Sequence, residues 1–196
     1  ECRVRVWDDE LDAFDMGDLA AQWFSDFLGR PLRLARFDPD AVRLAKAQWT
    51  GSIEARTAFA DGFPLLVTST ASLEELNRRL AAQGHDAVTM QRFRPNIVLD
   101  GVDDAHGEDF IDTLTLESPD GPVVIKLVKP CGRCTIPDVD PASAVQGHAV
   151  ADTMSAYRVE PRIEGALAFG QNAVVLSGVG HRLRVGASAR AELRFD

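Results

Sequence analysis

Lys129-Pro130-Cys131-Gly132-Arg133-Cys134 sets two thiols three positions apart with an arginine between them, straight after the apolar run Val123 to Val128. These are two of only three cysteines in the 196-residue chain. Such a pair suits a zinc half-site, a redox dithiol, or one soft-metal ligand beside an anion clamp. A closed zinc site usually takes paired Cys or His ligands, whereas the other candidates here, Cys2, His85, His106, His148 and His181, are scattered. A thioredoxin-type pair opens a helix. Here Thr135-Ile136-Pro137-Asp138-Val139-Asp140-Pro141 follows, and its two prolines read as loop. What remains is a strand-to-loop site in which one thiolate binds a soft metal while Arg133 and backbone N–H groups hold an anion. Two buried thiols acting as small hydrophobes stand open beside that reading.

The elements that must position this stretch read as mixed α and β, with β dominant toward the C-terminus. Cys2 to Trp7 alternates like a strand. Asp18 is expected to cap a helix whose Leu19, Trp23, Phe24, Phe27 and Leu28 form one apolar stripe, ended by Gly29 and Pro31 and taken as core packing. Leu32 to Phe37 reads as a strand, and Asp38 to Asp61 as a polar connection. Gly62 to Ser69 leads into a strand, after which Ser72 and Glu75 have the spacing of a capping box opening a helix that Gly84 closes. Ile97 to Asp100, Leu114 to Glu117, Val123 to Val128, Val174 to Ser177, His181 to Val185 and Ala189 to Phe195 are expected strands, with Ser118-Pro119-Asp120-Gly121 a hairpin turn. Many short strands and few helices fit a barrel. One domain is expected over residues 1–196.

A formal charge of −9 and a pI near 4.9 argue against a nucleic-acid binder, because neutralising phosphates needs a basic face. Three scattered cysteines make no disulfide scaffold. No apolar run approaches the roughly 20 residues of a membrane span, and no leader is visible, so a bacterial cytoplasm is the expected location and no membrane partner is expected.

Arg92-Phe93-Arg94-Pro95-Asn96-Ile97-Val98-Leu99-Asp100-Gly101, then Lys129 to Cys134, then Val139-Asp140-Pro141 resemble the MOSC family of molybdenum-cofactor-binding domains related to the C-terminal part of molybdenum cofactor sulfurase. Within it, the chain is most similar to the mitochondrial amidoxime-reducing component and its bacterial relatives. The likeness also covers Gly17 to Leu28, Phe63 to Leu80 and Phe169-Gly170-Gln171-Asn172. It implies a MOSC-type β-barrel with a few flanking helices, and a molybdopterin cofactor that presents a dithiolene, a flat pterin and a phosphate. It also carries a family-level association with pyridoxal phosphate.

By that resemblance Cys134 ligates molybdenum and is the catalytic residue, with Cys131 in support, while Arg133, Gly132, Arg94, Asn96, Asp61 and Gly62 surround the cofactor. Arg133 and Arg94 offer forked donors to phosphate or oxo groups, Asn96 and Asp61 suit the pterin edge, and the two glycines permit close backbone approach. Each has a plainer alternative: a surface ion pair for Arg94, a strand-end cap for Asn96, a turn for Asp61-Gly62, a helix cap for Ser69 and Ser72. Gln171 and Asn172 could form a polar pocket rim or satisfy a barrel end, and the four histidines read as surface or structural residues.

The implied activity is reduction of small N-hydroxylated compounds, with electrons from a separate flavin or iron–sulfur donor. The alternative is a cofactor or sulfur carrier holding a persulfide on Cys134. Gly132 stands where many members have serine, and Asp140-Pro141-Ala142-Ser143 lacks the usual closing threonine-glycine. The N-terminal barrel segment of the amidoxime-reducing group is expected to be absent or truncated before residue 1, and no cysteine follows Cys134 to build a C-terminal iron–sulfur module.

Overall fold

A computed structural model describes residues 1–194, which form two compact units, Glu1–Pro64 and the segment from Leu65 onward. In the first unit, β1 (Cys2–Val6) and β2 (Asp9–Asp15) form an antiparallel hairpin, and β3 (Ala35–Phe37) adds to β2. Between β2 and β3 runs α1 (Asp18–Leu28), whose N-cap is Gly17, with Asp18 as the first helical residue instead of the cap; Gly29 ends it in the left-handed region. The apolar stripe of α1 is not core. Leu19 is 87 % and Phe27 74 % exposed, Trp23 stacks on Phe27 at 5.5 Å between ring centroids, and Ala21 is the buried residue of the helix. Helical periodicity reports that a face is apolar and is silent on what covers it. Within the polar connection, a short α2 (Ala47–Thr50) and a Leu44–Arg56 bridge appear. Arg43, buried there, donates to the carbonyls of Ala58 and Asp61 and pairs with Asp9.

The second unit holds a seven-stranded sheet curled into a half-barrel, a mixed α and β fold with few helices. Its strands are β4 (Leu65–Ser69), β5 (Ile97–Leu99), β6 (Ile111–Leu116), β7 (Val123–Gly132), β8 (Val159–Glu160), β9 (Ala166–Ser177) and β10 (Ala189–Leu193), ordered β10-β6-β7-β9-β4-β5 with β8 beside β9. Helices α3 (Thr70–Ala82) and α4 (Ala149–Ser155) accompany them. Strand β4, helix α3 and the parallel strand β5 make one crossover, and the remaining pairings are antiparallel. One apolar cluster joins Val67, Leu114, Ile125, Leu127 and Ala173 across the sheet; a second packs Leu76 and Leu80 of α3 and Met154 of α4 on Phe93 and Phe169.

Three expectations change. The segment His181 to Val185 is irregular, because Asp120 draws the Arg182 backbone N–H and guanidinium onto the hairpin turn and His181 Nδ1 lies 3.0 Å from the Gly121 carbonyl. The last strand ends at Leu193, and the expected end at Phe195 lies outside the described residues. The helix cap lies three residues earlier than expected. Ser69 caps α3 by accepting the Ser72 N–H, while Ser72 turns inward and Glu75 pairs with Arg78 and Arg79. Both serine hydroxyls lie 2.7 Å from the fully buried Glu108 carboxylate, and Ser72 Oγ accepts the His106 N–H at 2.9 Å. This knot ties the start of α3 to the 3₁₀ turn Gly107–Phe110.

Candidate functional site

Cys131 sits inside β7, not in the loop after it. Proline has no N–H for the ladder and is excluded from regular central strands, and register shifts between Leu127 and Lys129 and between Pro130 and Gly132 bracket Pro130. The strand therefore continues past the proline, pairing Gly132 with Ala168, and Arg133 still donates its N–H to the Leu167 carbonyl at 2.7 Å. Residues two apart on an extended chain share a face. Accordingly Arg133 Nη1 reaches Cys131 Sγ at 3.1 Å. Cys134, beyond the last ladder bond, is exposed, whereas Cys131 is half-buried, and both are free thiols. An extended stretch advances about 3.3 Å per residue, so positions three apart exceed the roughly 4.4–6.8 Å Cα separation of a disulfide. That weakens the dithiol reading.

The arginine also joins two segments far apart in sequence. Its Nη2 donates to the Phe93 carbonyl at 3.0 Å, and its guanidinium lies 5.6 Å from the Phe93 ring centroid. Phe93 in turn stacks on Phe169 at 3.8 Å, both fully buried. Gly170 makes that neighbourhood possible: at φ 77 a Cβ there would meet the Val67 carbonyl at 2.6 Å. Phe93 closes the 3₁₀ turn Met90–Phe93, and Arg94 caps it in the left-handed region at φ 56. Few non-glycine residues occupy that region, and residues held there cluster at functional sites.

Arg94 is exposed and makes no ion pair or hydrogen bond through its side chain among the described residues, so the surface ion pair considered for it is not what the fold contains. Asn96 brackets Leu66, with Oδ1 accepting its N–H at 2.8 Å and its own N–H donating to the Leu66 carbonyl. That is the strand-end cap, and it leaves the amide Nδ2 uncommitted. Gly132 ends β7, and a Cβ there would crowd Ile163 Cδ1 at 3.2 Å. Asp61 and Gly62 belong to the first unit; the Asp61 carbonyl accepts from Arg43, and a Cβ on Gly62 would meet nothing within 4 Å.

The fold thus brings Arg133, Cys134, Gly132 and Cys131 to the end of one strand and ties that strand to the turn carrying Arg94 and Asn96. Arg133 Nε is buried with no partner, and no three His, Cys, Asp or Glu side chains gather as a metal group among the described residues. An exposed thiol one residue after Arg133, on a strand tied to the turn that precedes the free Arg94, suits a metal that arrives with other ligands and with negative charge of its own.

Sequence reasoning missed the supports. Gln171 is fully buried, not a rim residue, and donates to Asp109 at 2.6 Å; Asp109 also pairs with Arg158 at 2.8 Å. Arg158 Nε donates to the Ala168 carbonyl, bracing β9 opposite Gly132. His106 is buried with both ring nitrogens unpartnered, and burial foremost pushes its pKa down to about 4. Long sequence separation leaves no local signal for these contacts.

Residues 54–190 match the profile of the MOSC domain. The chain belongs to the MOSC family. Among curated proteins it is similar to mitochondrial amidoxime-reducing component 1 of Homo sapiens, 34% identical over 163 residues, covering 81% of this chain and 45% of that protein. Mitochondrial amidoxime reducing component 2 of Homo sapiens is 33% identical over 159 residues, covering 79% and 45%, and component 1 of Danio rerio 29% over 173 residues, covering 85% and 50%. The chain spans about half the length of the curated relatives it matches. Among the described residues no helix is long and apolar enough to cross a membrane.

Proposed function

We propose that this MOSC protein binds molybdenum cofactor at the end of β7, with the Cys134 thiolate as the protein's ligand to the metal. The observation that carries the reading is Arg133, whose guanidinium joins Cys131 and Phe93 yet keeps a buried Nε without a partner, one residue before the exposed Cys134. Arg133 and the free Arg94 would hold the anionic groups, Asn96 Nδ2 would donate to a carbonyl-type acceptor, and Gly132 would let the backbone approach. When bound, the cofactor supplies a metal able to accept oxygen from an N–O group. The chain's own residues supply the thiolate, the charge complement and a rigid strand end.

With relatives named amidoxime-reducing components, the proposed reaction is reduction of small N-hydroxylated compounds, fed by a separate flavin or iron–sulfur donor. No Gly-x-Gly-x-x-Gly loop or cluster-forming cysteine set occurs in this sequence to take a hydride apart into single electrons.

Protein purified from a cofactor-producing host should contain about one molybdenum per chain and reduce an amidoxime with reduced viologen, but not with NADH alone. Absence of molybdenum together with a mass gain of one sulfur atom on Cys134 would replace this reading by the sulfur-carrier one. Brisk turnover with NADH alone would overturn the separate donor.

A further inference from the structure

We infer that Arg92 is a positioning residue for Cys134, holding the loop that follows the thiol in place. The inference rests on the reading of Cys134 as the metal ligand for its consequence, although not for its geometry. Arg92 Nη1 donates to the Pro137 carbonyl at 3.2 Å and Nη2 to Asp140 Oδ2 at 3.2 Å. Its side chain is only 15% exposed. The next residue in the chain, Phe93, accepts from Arg133 through its carbonyl. The short stretch Cys134–Ile136 is therefore anchored on both flanks by neighbours in one turn: Phe93 holds the residue before Cys134, and Arg92 holds the residues from Pro137 to Asp140.

The far anchor is itself rigid. Asp140 Oδ1 accepts the Ala142 N–H at 2.7 Å and the Ser143 N–H at 3.3 Å, an Asx-type turn that leaves Oδ2 free for Arg92. The Ala142 and Ser143 N–H groups, with the Arg92 charge beyond them, hold the Asp140 carboxyl below the usual carboxylate range. Asp138, buried, accepts the Val150 and Ala151 N–H groups and so fastens the loop to the start of α4. A forked guanidinium can serve a carbonyl and a carboxylate at once, which an ammonium on a flexible stem does less well. Arg92 thus fixes where the loop carrying Cys134 lies relative to Arg94, which caps the same turn, and to Asn96, which follows it before β5.

The test is site-resolved alkylation of the protein, freed of cofactor, with a neutral maleimide, read by mass spectrometry at Cys134 with Cys2 of the first unit as internal standard. Arg92→Ala should raise the Cys134 rate at least threefold while the Cys2 rate stays constant, and Arg92→Lys should return part of the difference. Asp140→Asn, which keeps the Asx turn but removes the charge facing Arg92, should move the Cys134 rate in the same direction by less. Should Arg92→Ala fail to fold, the Lys and Asn variants carry the comparison. Cys134 rates equal to the parent in folded variants would overturn the inference. Molybdenum per chain, measured in parallel, should fall in Arg92→Ala and in Cys134→Ser. If Cys134→Ser keeps its molybdenum, the ligand reading fails while the labelling result still judges Arg92.

Discussion

Arg133 turns its guanidinium back onto Cys131, two residues earlier on the same strand face, with Nη1 3.1 Å from Sγ, and spans from there to the Phe93 carbonyl. One planar fork thereby fixes the end of β7 to a turn 40 positions upstream. A lysine offers one compact charge in place of that fork. Arg133→Lys should keep the net charge and still lose most cofactor, measured as molybdenum per chain in folded protein. Parent-like retention would reduce Arg133 to a structural cation.

The two thiols should behave unequally. Cys134 is exposed, whereas Cys131 is half-buried and accepts from Arg133. Cys134→Ala should abolish molybdenum retention with little change in stability. Cys131→Ala should cost roughly 1–2 kcal/mol in urea unfolding and only weaken retention. Equal losses of metal in the two folded variants would sink the assignment of Cys134 as the ligand.

Arg94 combines a free charge with a strained backbone. Its φ of 56 precedes Pro95, and left-handed geometry costs a non-glycine residue on the order of 1 kcal/mol. Asparagine tolerates that region better. Arg94→Asn should therefore raise thermal stability by about 0.5–1 kcal/mol while lowering cofactor retention. A variant both less stable and fully loaded would contradict the view that strain is kept here for the sake of the charge.

The local grouping of candidate residues was legible in the sequence, and the contacts that brace it were not. Cys131, Arg133 and Cys134 stand out because their spacing is short, and the strand entering them is a plain apolar run. Pro130 makes the run appear to stop at Val128, because a sequence cannot display the register shifts that carry β7 to Gly132. Gly170 conceals the 12-residue β9 in the same way, reading as a break where the chain passes close to the Val67 carbonyl. Arg92 meets Asp140 across 48 positions and Gln171 meets Asp109 across 62, distances at which residue type alone selects no partner. The stripe of α1 shows the opposite error, a strong periodic signal on a helix whose Leu19 and Phe27 are exposed.

The knot around Glu108 offers a test of where helix α3 is secured. Ser72→Ala would leave the buried carboxylate with one hydroxyl and the His106 N–H without an acceptor, which should cost about 2–3 kcal/mol. Glu75→Ala removes pairs with Arg78 and Arg79 on a partly solvated helix face and should cost at most about 1 kcal/mol. Urea denaturation of both variants checks the contrast. A Glu75 variant weaker than the Ser72 variant would restore the capping box that the spacing first suggests.

His106 should make the protein acid-sensitive above the range where carboxylates titrate. Its ring is buried against Tyr157 and Phe169, at 5.6 and 5.9 Å between centroids, with both nitrogens unpartnered. Burial first, then the Arg158 charge, lowers its pKa to about 4, and the Asp109 and Glu75 charges only partly oppose this. In the unfolded chain the imidazole takes a proton near pH 6.5. As pH falls from about 6.5 toward 4 the unfolded state binds more protons than the folded one, so stability falls across that window, by on the order of 2–3 kcal/mol. Glu75 and Asp120, each held near 2 chiefly by hydrogen bonds from Arg78 and Arg182, lose their contributions at lower pH, below their ordinary values near 4. His106→Asn keeps the left-handed backbone tolerable and retains the N–H to Ser72 while removing the titrating ring. Its urea midpoint should be nearly flat between pH 6.5 and 5 where the parent's declines. A parent midpoint already flat there would show that the imidazole is hydrated and free to charge.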